Sequence, residues 1–137
     1  MGARHSMSRV LAIDPGEVRL GLAVSDPTRT IARPLRVLRH TSRAEDVRQI
    51  LEIARQEEVE TIVVGVAYGV EGEEDRGARR GLRLAQALKR AGFAKVETWD
   101  ESGSTAEAEA IRSSDELTDA RAAAVILQGF LDALPKT

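Results

Sequence analysis

The 137-residue chain contains no cysteine and only two histidines, His5 and His40. The first absence excludes disulfides and thiolate metal centres and fits a reducing cytoplasm. The second excludes a zinc site built on histidine. Aromatic residues are almost as scarce, with one Trp, one Tyr and two Phe, so the core is expected to be Leu, Val, Ile and Ala, and base stacking has few platforms. No apolar run approaches the roughly 18 residues that span a bilayer, and the opening MGARHSM lacks the hydrophobic centre of a signal peptide. These absences together predict a cytoplasmic protein with no membrane partner. Residues 1–7 fit no element and read as a disordered tail or an expression scar, with Met7 as a second start, which leaves residues 8–134 as one domain.

Charge is nearly balanced at −2 but is not evenly spread. Between Pro27 and Ala44 stand Arg29, Arg33, Arg36, Arg39 and Arg43 with no acid, and from Arg76 to Val96 there are seven Lys or Arg and again no acid. From Glu97 to Asp119 the balance inverts, with eight acids against one Arg. Such blocks can be solvated helix faces. They can also set phosphate contacts around a carboxylate-lined metal site.

Periodicity divides the chain into elements. Residues 9–14 and 19–26 read as two strands of a hairpin joined by a short Pro-Gly turn, and 34–39 as a third strand. Ser42 with Glu45 forms a capping box for a helix over 43–57. TIVVGV, 61–66, is apolar on both parities, as in a strand buried on both faces. A loop rich in Gly and acid leads to a helix over 76–91, stopped by Gly92 and followed by a strand over 94–99. Ser104 with Glu107 opens a short helix to Arg112, and a last helix covers 118–133. The order β-β-β-α-β-α-β-α-α predicts an α/β fold, a mixed five-stranded sheet with helices on both faces.

Three acids fall at comparable places in this layout: Asp14 ending the first strand, Glu101 just past the fifth, and Asp119 in the first turn of the last helix. Asp14 is costly behind an apolar strand unless something pairs with it. Asp119 by itself could serve the helix dipole, and Glu101 could be a solvated loop acid. Brought together, the three would repel one another strongly, and a hard divalent cation, Mg²⁺ or Mn²⁺, relieves that repulsion.

AIDPGEVRLGLAVSD resembles the opening motif of the YqgF/RuvX family, a ribonuclease-H-like group of Holliday-junction-resolvase-like proteins and nucleases that mature the 5′ end of pre-16S ribosomal RNA. IVVGVAYGVEGEE is similar to that family's fourth-strand motif, WDESGST to its acidic motif after strand five, and DARAAAVILQGFL to its C-terminal helix. The resemblance runs in order over residues 8–134. It implies that Asp14, Glu101 and Asp119 are catalytic, metal-binding acids. Ser102 stands where the family usually has Arg, and Ala67 where it usually has Pro; the stretch before Asp119 is short and poor in basic residues. Glu71 and Glu73 are rivals of Glu101 as second carboxylate.

These readings together predict a nuclease that uses two Mg²⁺ or Mn²⁺ ions on a phosphodiester. Gly16, Arg19, Arg33, Arg36, Arg76, Arg79 and Arg80 are the expected phosphate contacts, with Gly16 and Gly21 allowing close approach of backbone. The expected partner is structured RNA or branched DNA, with a homodimer if the substrate is a two-fold symmetric junction. Two other classes fit parts of the sequence. Asp14, Gly16 and Gly21 also resemble the first phosphate motif of actin-like ATPases and sugar kinases, which need two lobes and far more chain. A non-catalytic nucleic-acid-binding module on the same fold would account for Ser102.

Overall fold

The first two apolar runs pair as expected in the computed structural model, which describes residues 8–67, 76–100 and 116–135. Residues 1–7, the loop carrying Glu71 and Glu73, Glu101 and Ser102, and the short helix expected at 104–112 lie outside the described residues. Strand β1 (Arg9–Pro15) runs antiparallel to β2 (Arg19–Ser25), with Leu11 opposite Val24 and Asp14 opposite Gly21. The Gly16 amide closes their turn on the Arg19 carbonyl at 3.0 Å. β2 continues antiparallel into β3 (Ala32–Arg39), while β1 is flanked in parallel by β4 (Val59–Val66), and β4 by β5 (Val96–Asp100). The order is β3-β2-β1-β4-β5, so three apolar runs, β2, β1 and β4, are flanked on both sides and lie inside the sheet.

Three described helices cover this sheet: α1 (Arg43–Gln56), α2 (Arg76–Arg90) and α3 (Glu116–Asp132). Period-two alternation sends Leu11, Ile13, Leu22, Ile62 and Val64 to one face, where they pack with Ile50, Leu84 and Leu88 of α1 and α2. Val10, Ala12, Ala23 and Val63 go to the other face and meet Ala123, Ile126, Leu127 and Phe130 of α3. Trp99 of β5 closes that second layer edge-on against Phe130, with ring centroids 5.8 Å apart.

Local signals set most boundaries. Ser42 caps α1 by accepting from the Glu45 amide at 3.1 Å. Gly92, at φ +106°, ends the turn after α2, and the Phe93 amide reaches back to the Leu88 carbonyl. β3 starts at Ala32 rather than at residue 34 because Gln128 of α3 acts as a strand partner: its Oε1 accepts from the Ala32 amide and its Nε2 donates to the Thr30 carbonyl, both at 2.9 Å. Leu35 is an extra residue against β2, since Leu22 faces Arg36 and Ala23 faces Pro34.

Candidate active site

Asp14 shares the parity of Val10 and Ala12, so its side chain belongs to the face covered by α3. Its ladder partner, Gly21, belongs to the same face. There the first turn of α3 comes so close that a Cβ on Gly21 would lie 1.9 Å from the Asp119 carbonyl oxygen and 2.5 Å from its carbon. Glycine is therefore required at position 21 by the backbone of the chain itself, not by a ligand. The same holds at Gly16, where a Cβ would meet the Arg19 carbonyl at 2.5 Å. The close approach seats Asp119 beside the strand pair that ends in Asp14, and it joins two acids more than a hundred residues apart in sequence.

Arg19 enters from the next position on the same face of β2. Its Nε donates to Oδ2 of Asp119 at 2.7 Å, and both side chains are partly buried. This charge-assisted bond fixes the orientation of the Asp119 carboxylate and offsets one negative charge of the acid pair. The phosphate contact expected of Arg19 is thus, in this arrangement, an ion pair inside the site.

The donors are hard oxygens without His or Cys, which suits Mg²⁺ or Mn²⁺, ions that keep several waters and take one or two carboxylates from the protein. Asp14 and Asp119 fit that requirement as neighbours on one face. Among the described residues there is no group of three or more His, Cys, Asp or Glu placed to share an ion. The third expected acid, Glu101, lies outside them. Asp100, which precedes it, has the parity of Val96 and Thr98 and so belongs to the face of α2.

The remaining expected phosphate contacts separate into two groups. Arg79 and Arg80 of α2 come together with Gly16 in a cleft of about 290 Å³ on the α1–α2 side of the sheet, beside the turn that follows Asp14. Arg33 and Arg36 are exposed on edge strand β3, and Arg36 lines a separate groove with Leu38 and α1. Arg76 begins α2, and its side chain is outside the described set. Arg43 and Arg83, the ends of the basic stretches 29–43 and 76–83 that the sequence assigns to flanking phosphates, line the same cleft as Arg79 and Arg80, and so do His40 and Asp46, which the sequence reading missed. Arg83 repeats Arg79 at i+4 and was legible as part of that stripe. His40 and Asp46 were not, because their pairing depends on how β3 turns into α1.

A sequence model of the family described as "RuvX: Holliday junction resolvase" matches residues 8–133. A protein of Anaeromyxobacter sp. (strain Fw109-5) named "Putative pre-16S rRNA nuclease" is 45% identical over 132 residues, covering 90% of this chain and 96% of its own. One of Bordetella petrii with the same name is 39% identical, with 92% and 96% covered. Among solved structures, RuvC of T. thermophilus in complex with a Holliday junction substrate superposes with a TM-score of 0.58 at 18% identity, covering 92% of this chain and 94% of that one. The Fowlpox virus resolvase with junction DNA gives 0.54 at 8% identity, over 93% and 99%. At such identities the two resolvases establish the shared α/β fold, and the family match together with the sequence relatives establishes descent: the chain belongs to the RuvX family.

Proposed function

We propose that this chain is a metal-dependent nuclease that matures the 5′ end of pre-16S rRNA in the cytoplasm, with residues 8–134 as one nuclease domain. The observation that supports the reading is the seating of the Asp119 backbone on Gly21, the ladder partner of Asp14, in a chain whose relatives carry that name. Asp14 and Asp119, with Glu101 as the third acid, are the residues that would hold two Mg²⁺ or Mn²⁺ ions. Bound ions supply an activated water and neutralise charge on the leaving 3′ oxygen. Asp14 is presented rigidly, because its strand is paired on both sides. Asp119 is oriented by Arg19, and α3 carries it on a helix anchored by Leu127 and Phe130. Arg33, Arg36, Arg76, Arg79 and Arg80 serve the flanking phosphates.

The test incubates the protein with Mn²⁺ or Mg²⁺ and, in parallel, a structured RNA carrying the precursor leader and a four-way DNA junction. Metal-dependent cutting of the RNA is expected, reduced at least about a hundredfold in Asp14→Asn while RNA affinity is retained. Cutting at the wild-type rate by that variant overturns the site. Paired symmetric cuts in the junction, with the RNA intact, assign instead a resolvase, which must act as a homodimer to present two sites. Binding of both substrates without cutting of either assigns a non-catalytic module.

A further inference from the structure

The cleft beside the Pro15–Gly16 turn lies across the sheet from α3, and the acid pair does not use it. Its walls come from separate elements. Arg43 opens α1, Arg79, Arg80 and Arg83 form one stripe of α2, and His40 follows β3. Its floor is Pro15, Gly16, Leu20 and Leu84. Among the described residues, four guanidinium groups face one lining carboxylate, Asp46, with Glu17 nearby, and both acids are engaged. Asp46, buried, accepts from His40 Nδ1, and Glu17 pairs with Arg80 at 3.4 Å. Among the described residues Arg43, Arg79 and Arg83 have no acid partner, which is also true of Arg33, Arg36, Arg39, Arg90 and Arg121; what sets the first three apart is that separate elements bring them to one cleft.

Convergent cations in a concave site set up a field that favours an anion there. Arginine's planar fork matches the oxygens of a phosphate. The bond from Nδ1 to Asp46 also directs the other ring nitrogen of His40 away from that acid.

We propose that this cleft is a phosphate-binding subsite for the substrate strand, in which Arg43, Arg79 and Arg83 hold one phosphate group beside His40 on the side of the sheet away from the acid pair. The inference rests on the nucleic-acid reading above and deepens it. A strand held there and cut at Asp14 would pass the Pro15–Gly16 turn, which follows Asp14 and lines the cleft. The phosphate is either an internal diester or the terminal group of a 5′ end.

The test is made without metal on the full chain, so that no cleavage enters. Binding of short single-stranded RNAs with a 5′-phosphate or a 5′-hydroxyl is measured by fluorescence anisotropy across a salt series. Arg79→Ala with Arg83→Ala is expected to lower affinity about tenfold or more at low salt and to reduce the salt slope by about one, the share of one phosphate. Arg48→Ala with Arg55→Ala removes equal charge from exposed α1 positions and is expected to leave both unchanged. Equal losses in the two double variants, or none in the first, overturn the proposal. A wild-type preference for the 5′-phosphate that the first variant abolishes assigns the terminal group; equal binding of both RNAs, still lost in that variant, assigns the diester.

His40 supplies a second readout, since the chain has only one other histidine. Inorganic phosphate is expected to shift the His40 ring resonances of the wild type and not those of Arg79→Ala/Arg83→Ala. No shift in the wild type counts against the subsite. Because cleavage plays no part, the subsite and the nuclease reading can fail separately.

Discussion

Asp26, just after β2, organises its loop through one carboxylate. Oδ1 accepts from the amides of Thr30 and Ile31, both at 2.8 Å, and Oδ2 from the Thr28 amide at 3.2 Å and from the Thr28 hydroxyl. Burial alone raises its pKa, but the Ile31 amide, the Thr28 hydroxyl and the amides of Thr30 and Thr28 outweigh that and bring it from 3.8 to about 2. A carboxyl depressed on folding contributes stability above its unfolded value and loses it as pH falls through the folded one. Asp26→Ala is therefore expected to cost about 1–2 kcal/mol at pH 7, and its deficit in urea unfolding should shrink as pH falls from about 4 towards 2. Glu45 is also held at about 2, by Arg48 and then Gln49, but it is fully solvent-screened and supports no comparable stability claim. The capping box at Ser42 was legible from spacing alone, and half of it forms: Ser42 takes the Glu45 amide while the Glu45 carboxylate turns to Arg48 and Gln49. The Asp26 loop was not legible, because it needs Arg29 in the left-handed region at φ +60°, which nothing in the local residue types announces.

Among the elements, α3 is placed most tightly, and Gly21 is the reason. Gly21→Ala puts a methyl carbon against the backbone of Asp119, where no flexible side chain can yield. The helix must lift, at a cost of about 2–3 kcal/mol. Urea denaturation is expected to report that loss. Half-maximal cleavage is expected to need more metal, because Asp119 moves with its helix; an unchanged metal requirement would show that α3 is not seated by this contact. The element order of the sheet could be read from the sequence, since a tight Pro-Gly turn demands an antiparallel pair and long helical crossovers demand parallel ones. The start of β3 could not. Gln128, nearly a hundred residues away, supplies hydrogen bonds that no strand propensity encodes.

Across the whole molecule, the sheet separates two cores that report on two functions. Leu88 lies wholly buried between sheet and α2, and Leu127 wholly buried between sheet and α3. Truncating either to Ala is expected to cost about 2–5 kcal/mol. Their effects on activity are expected to differ: Leu127→Ala weakens metal-dependent cleavage in step with α3, and Leu88→Ala weakens RNA binding in step with the arginine stripe of α2. Identical activity profiles for the two variants would refute this division. The acid pair was legible because an aspartate ending an apolar strand has no cheap structural explanation. The basic cleft was only half legible: the α2 stripe shows in sequence, but its meeting with Arg43 and His40 is made by the packing of α1 on α2.

The acid pair also has a history within each molecule's synthesis. Asp14 belongs to β1, which is made well before α3, while Asp119 and its bond to Arg19 bridge one hundred positions of chain. A nascent polypeptide can hydrogen-bond its first hairpin early, yet Asp119 takes its place beside that hairpin only once α3 has emerged and settled on Gly21. If the acid pair is the cleaving site proposed above, a chain still lacking α3 is inert, and it becomes armed only as that helix docks on Gly21.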